Sequence, residues 1–336
     1  MKTANEVRLQ GLDGLRAISI LLVLAAHLLP LGPKVLRFNE TAGAMGMSLF
    51  FALSGFLITS GLIRNPRVGE FLIRRFARIL PLVYAYTFVV LLIFSFNPRA
   101  LLWTDLFIVN YLTDYLSTGW TEHLWSLCVE MQFYIAIAVV VLIGGKRALW
   151  LTWLACLAVT LVRIQADAYI AIETHLRVDE ILSGACVATV FRKDLIFNRV
   201  AMLMTISAAL WAITSWPLAG PMQYFRPYAT ALLLFVTMQY VAINKNTFLA
   251  SRPMQYIATI SYALYVLHPA TAHGWMNEGN PAIKYLVKRP ISFALTFLLA
   301  HFSTFHWERR WQEAAKRWIK RRRSEPDETA IASSTS

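Results

Sequence analysis

The apolar run Gly11–Leu29, GLDGLRAISILLVLAAHLL, most restricts what this chain can become. As a helix it is long enough to cross a bilayer, since about 20 residues at ~1.5 Å each span the ~30 Å hydrocarbon layer. Yet it carries Arg16 near its start and His27 near its end. On one helix those residues lie about 16 Å apart along the axis. Ionisable side chains inside a membrane are costly, so each is a candidate functional residue. The plainer readings put Arg16 at headgroup level and pair His27 with a neighbouring helix. Of the two, only His27 is too deep to reach water by extending its own side chain.

Runs of this kind recur along the 336 residues, of which 57% are hydrophobic and 15% charged. A soluble domain would carry about 25% charged residues. The fold class expected is an all-α polytopic integral membrane protein with about ten transmembrane helices. These are placed near 12–31, 42–63, 79–96, 123–143, 148–166, 169–191, 199–216, 227–243, 254–273 and 290–308. The segment 169–191 holds Glu173, Arg177, Asp179 and Glu180, and 254–273 opens with polar residues. Within the longer loop 97–122, the apolar piece Leu101–Asn110 is too short to span and is expected to be re-entrant or interfacial. Glu6 and Asp13 argue against a signal peptide, so the first run is expected to stay as an uncleaved span.

Charge orients this arrangement. With a cytoplasmic N-terminus, 22 of the 32 Lys and Arg residues fall in inner segments and eight in outer ones, Arg16 and Arg177 lying within spans. That is the positive-inside bias with both termini cytoplasmic. The net charge of +13 is therefore topological, and no nucleic-acid partner is expected. Residues 1–308 read as one membrane domain. The stretch 309–336 reads as a cytoplasmic tail, first basic and held to anionic membrane lipid, then disordered from its low-aromatic, polar end. Cys128, Cys156 and Cys186 lie in apolar runs without zinc spacing and read as small core residues. No metal site, P-loop or dinucleotide-binding glycine pattern is expected.

Chemistry concentrates at two levels. His123–Tyr134, HLWSLCVEMQFY, places Glu130 about 12 Å in from the outer end of its span. A carboxylate there needs a cation or hydrogen-bond donor, and a structural ion pair alone would satisfy it. Helical rise brings His27, Arg177, Asp179 and His268 to a similar depth, so a polar cavity is expected in the outer half. At the inner face, Gly69–Pro81, GEFLIRRFARILP, reads as a short amphipathic lead-in to span three. Arg75 and Arg78 share one side of it and join Arg74 and Arg16 at the cytoplasmic boundary. Guanidinium forks match phosphate oxygens, although a lipid-headgroup anchor would use the same residues. In span two, Gly46, Ser48, Ser54, Gly55, Ser60 and Gly61 are expected to permit close helix packing, Ser54 being a nucleophile only with a base beside it. His123, His273, His301 and His306 read as structural.

LDGLRAISILLVLAAH, SLFFALSGFLIT, RRFARILP, HLWSLCVEMQFY and ISYALYVLHP, in this order, resemble the acyltransferase-3 family of bacterial inner-membrane O-acyltransferases over about residues 9–308. The resemblance implies transfer of an acyl group, usually acetyl from acetyl-CoA, to a hydroxyl of a glycan or lipid-linked sugar, such as lipopolysaccharide O-antigen or an exopolysaccharide. It aligns Arg16 and His27 with the family's arginine–histidine pair, Arg75 and Arg78 with its RxxR motif, and Glu130 with its glutamate of span four. Cys128 and Met131 depart from the family's usual WSLSVEEQFY, leaving Glu130 in place. Some members add an extracytoplasmic hydrolase-like domain. None is expected here, so the membrane domain performs the step alone or hands over to another glycan-assembly protein. The expected site therefore has His27 and Glu130 as catalytic residues, His27 as general base on the acceptor hydroxyl and Glu130 orienting it or stabilising its imidazolium. Arg16, Arg75 and Arg78 hold acyl-CoA, and Arg177, Asp179 and His268 hold the acceptor. The rival class is a polysaccharide or small-molecule transporter using the same polar layer as its pathway.

Overall fold

The computed structural model describes residues 4–94, 97–116, 119–191, 199–243 and 247–324, and no strand occurs among them. The first helices are α1 (Ala4–Leu28), α2 (Phe38–Arg64), α3 (Val68–Phe94), α4 (Pro98–Asp105), α5 (Trp125–Gly144), α6 (Leu151–Gln165) and α7 (Asp179–Val190). There follow α8 (Val200–Ser215), α9 (Arg226–Ile243), α10 (Arg252–Ala272), the short α11 (Pro281–Ile283), α12 (Arg289–Phe302) and α13 (Arg309–Ser324). The centre is α2, packed against α1 and α7, while α10 lies on α1 and α12, and α13 lies on α3.

Small residues set the central packing. A Cβ on Gly55 of α2 would sit 1.8 Å from the Ile181 carbonyl oxygen, and one on Gly184 of α7 equally close to the Ala52 carbonyl oxygen. Backbone touches backbone there, so no side chain can move aside. Gly184→Val is expected to destabilise by about 3 kcal/mol, seen as a lowered melting temperature of the purified protein. Gly61→Ala serves as the control. Nothing lies within 4 Å of a Cβ at Gly61, so that glycine does not serve close packing, in contrast to the expectation for span two.

Outward faces remain apolar: Phe88, Val89, Leu92 and Ile93 on α3, and Leu154, Leu157 and Leu161 on α6, are exposed stripes suited to lipid. Among the described residues, four helical stretches are long and apolar enough to cross a membrane: Gly11–Leu28, Lys34–Arg64, Val68–Phe94 and Glu122–Gln165. A fifth is the pair Val200–Ser215 and Pro217–Val241, bent by 119°. The ten-span count exceeds this; α7 and α12, with 12 and 14 residues, are each shorter than a span.

Two boundaries differ from the sequence reading. The segment 169–191 becomes helical only at Asp179, after a 3-10 turn at Thr174–Leu176. Arg163 holds the preceding loop open by donating to the carbonyls of Ala168 (3.4 Å) and Tyr169 (3.1 Å). The amphipathic lead-in and span three are one continuous helix, α3, which passes through Pro81. The piece Leu101–Asn110 forms the end of α4 and a following turn, pinned by Gln132 donating to the Phe107 carbonyl at 2.7 Å. The basic part of the tail is the helix α13, and the stretch expected to be disordered, 325–336, lies outside the described residues.

Candidate active site

A cavity of about 410 Å³ opens between α1, α2, α10 and the segment leading into α5, and His27, His123, Arg177, Arg226, Tyr265 and His268 are among its walls. His27 is exposed to it, whereas His123 and His268 are buried behind it. His27 Nδ1 lies 3.0 Å from His268 Nε2, with the two ring planes within 7° of each other. His268 Nδ1 lies 2.7 Å from the backbone carbonyl oxygen of Tyr265.

That chain of contacts fixes tautomers for neutral rings. A carbonyl only accepts, so His268 carries its proton on Nδ1 and its Nε2 is an acceptor. His27 must then donate from Nδ1, which leaves the lone pair of His27 on Nε2. The pair thus presents one unprotonated imidazole nitrogen on an exposed side chain, held by a second ring instead of a carboxylate. His268, expected to touch the acceptor, lines the cavity and has both ring nitrogens engaged within the protein, Nε2 on His27 and Nδ1 on the Tyr265 carbonyl.

Arg177 and Arg226 share the carboxylate of Glu180, at 3.4 Å and 2.7 Å, and all three are buried. Two cations on one carboxylate leave donors over. Arg177 Nε and Nη1 and Arg226 Nη1 are buried with no hydrogen-bond partner. Arg177 also lies over the Trp125 ring, 5.5 Å from its centroid, which fixes its plane. Asp179, expected beside it, is instead spent on Arg163 at 2.6 Å and is absent from the cavity wall. Asp179 therefore reads as the partner that neutralises a buried arginine, because either charge alone would be costly there.

Glu130 is not in that wall either. It follows His123 by seven residues, about 10 Å along the helix. Its Oε1 accepts from Ser54 Oγ at 2.6 Å and from Tyr134 Oη at 2.5 Å, so the expected contact with His27 is not made. Glu130 faces the other polar centre, since the Tyr134 ring carries Arg75 at 5.7 Å. Ser54 thus has a carboxylate beside it, but it is buried away from the histidine cavity.

A second cavity of about 320 Å³ is lined by Arg67, Glu70, Arg74, Arg75, Arg78 and Lys316, among others. Arg16 is not in its wall, but its guanidinium is near enough to Arg75, Arg78, Asp13 and Glu130 to feel their charge. Among the described residues, Arg16, Arg75 and Arg78 form no ion pair. Three half-buried guanidinium groups that repel one another favour an anion between them. No cluster of His, Cys, Asp or Glu able to hold a metal occurs among the described residues.

The acyltransferase-3 family model, an acyltransferase domain, matches residues 9–304, nearly all of the membrane helices. The chain belongs to the acyltransferase-3 family. A Bacillus subtilis protein whose name assigns it to the peptidoglycan O-acetyltransferases is 25% identical over 90% of this chain and 54% of its own length. The Listeria monocytogenes peptidoglycan O-acetyltransferase OatA is 24% identical over 77% of this chain and 48% of its own. A Staphylococcus aureus protein named as an O-acetyltransferase is 33% identical over 39% and 24%. The chain spans about half the length of the first two relatives. No solved structure matches it.

Within this acyltransferase-3 domain, sequence reasoning missed three cavity residues. His123 reads as structural from its place near a span end, yet its Nε2 lies 3.2 Å from the Val266 carbonyl while its buried Nδ1 has no partner among the described residues. The signal was its place in the Glu130 motif, two helical turns away. Tyr265 precedes His268 by three residues, one turn on the same face, and its hydroxyl donates to the His123 carbonyl at 2.5 Å. Arg226 opens α9 and lies outside every motif quoted above.

Proposed function

We propose that this chain transfers an acetyl group from acetyl-CoA to a hydroxyl of a glycan. The observation that carries the reading is the His27–His268 pair in the wall of one cavity, with unpaired guanidinium groups at a second one. The arginines Arg75 and Arg78, with Arg16 behind them, hold the phosphates of the donor, because their charge has no internal partner. The acetyl end of the donor then extends from the cytoplasmic cavity towards the outer one, past Glu130.

His27 Nε2 takes the proton of the acceptor hydroxyl as that oxygen attacks the thioester carbonyl carbon. The C–S bond breaks as the new C–O bond is completed, and the imidazolium returns its proton to the departing thiolate. The products are the acetyl ester and free CoA, with His27 restored. His268 accepts the Nδ1–H bond throughout and so keeps Nε2 basic, the orienting role a carboxylate has in a Ser-His-Asp triad. Arg177 and Arg226 offer their spare N–H groups to the acceptor or to the oxyanion. Glu130 holds Ser54 and Tyr134 in place beside Arg75 and balances the arginine charge.

The relatives' names suggest a peptidoglycan-like acceptor, and a lipid-linked or exported sugar in the bacterial cytoplasmic membrane suits a cavity opposite the arginine end. Purified protein supplied with labelled acetyl-CoA and glycan is expected to leave label in alkali-labile ester linkage on the glycan. Glycan crossing proteoliposomes without label transfer would support the transporter instead.

A further inference from the structure

The helix α13 begins beyond residues 9–304, the stretch that matches the family, yet it forms a wall of the cytoplasmic cavity. Its contribution is Gln312 and Lys316, which line the cavity with arginines of α3. The cavity holds the positive charges of Arg67, Arg74, Arg75, Arg78 and Lys316 and one carboxylate, Glu70. That carboxylate is already occupied. It takes Arg67 at 3.1 Å, Arg74 at 3.2 Å and Arg323 from α13. Arg75, Arg78 and Lys316 therefore face the cavity with no carboxylate paired to them among the described residues.

The face of α13 that does this is the one turned to the protein. Gln312, Ala315, Lys316, Ile319 and Arg323 follow the three- and four-residue spacing of one helical stripe. Ala315 and Ile319 are buried, and Arg323 is anchored on Glu70. A helix that served only to hold anionic lipid would have no need to bring cations to a cavity of the protein. Lys316, although exposed, lines the cavity beside Arg75 and Arg78.

We propose that α13 is a built part of the donor site, with Lys316 and Gln312 binding phosphate groups of acyl-CoA alongside Arg75 and Arg78. This rests on the reading of the arginine cavity as the donor site, and it adds the tail helix to that site. The shared chemistry is a phosphate, and a phospholipid headgroup is the other source of one.

The test uses the full chain in nanodiscs of neutral phosphatidylcholine, with binding of CoA and of pantetheine, which lacks the phosphates. Lys316→Ala is expected to weaken CoA by about tenfold and to leave pantetheine unchanged. Lys316→Arg should keep CoA affinity. Lys316 is exposed, so these variants fold. The double variant Arg75→Ala/Arg78→Ala is measured beside them. If it loses CoA while Lys316→Ala and Lys316→Glu bind like the parent, the role of α13 is overturned and the donor site stands. If none of the variants loses CoA, the donor site falls, and the role of α13 with it. If Lys316→Ala changes only the binding of phosphatidylglycerol vesicles, α13 is a lipid anchor and the proposal is wrong.

Discussion

Replacing His27 by alanine is expected to lower acetyl transfer by about 10²–10⁴-fold, the range lost when a positioned general base is removed. The donor should still bind, because the arginines lie in a separate cavity. The geometry adds a sharper expectation for His268. It sets the tautomer of His27 through the 3.0 Å contact, and it is itself fixed by the Tyr265 carbonyl. His268→Ala frees the His27 ring to turn and to carry its proton on either nitrogen, so it should reduce the rate without weakening acceptor binding. His268→Gln offers an amide oxygen to the Nδ1–H of His27 and should retain more activity than His268→Ala. A cavity-filling role alone would instead make methionine or leucine at 268 the better replacement. Single-turnover rates with labelled acetyl-CoA, measured across pH, separate these outcomes. An unchanged rate in well-folded His27→Ala would remove the proposed base.

Arg75→Ala/Arg78→Ala carries the second large effect. Each guanidinium that meets a phosphate makes charge-assisted bonds of about 1.5–3 kcal/mol, so the pair is expected to cost about 100-fold or more in acetyl-CoA affinity. The loss should appear in the KM for acetyl-CoA and leave the KM for the acceptor alone. Lysine at both positions should restore part of it, because charge returns without the planar fork. Removing these charges also relieves their mutual repulsion with Arg16, so the variant should be no less stable than the parent. Unaltered acetyl-CoA affinity in the folded double variant would mean that the donor docks elsewhere.

The membrane character and the two polar levels could be read from residue order, because apolar runs and the few charges within them are local properties. His27, Arg75 and Arg78 were found in that way, each as a charge where solvation is poor or as a cluster without a counter-charge. Depth along a helix was also legible, since rise per residue is fixed. It grouped His27, Arg177 and His268, which the structure brings to the wall of one cavity. It failed for Glu130 and Asp179, because depth says nothing of the direction in which a side chain points. Glu130 turns to Ser54 and Tyr134, and Asp179 turns to Arg163.

The sequence by itself determined that the chain is helical and apolar-faced, that its cations favour one side, and that a histidine and an arginine pair are set where charge is costly. Only the tertiary structure decided which partner each of them meets. It gave His27 a second imidazole in place of the expected carboxylate, divided the polar residues between two cavities, and laid α13 over the arginines. Those outcomes depend on helix rotation and on residues hundreds of positions apart, as with His27 and His268, and a one-dimensional pattern of charge and hydropathy holds no information about either.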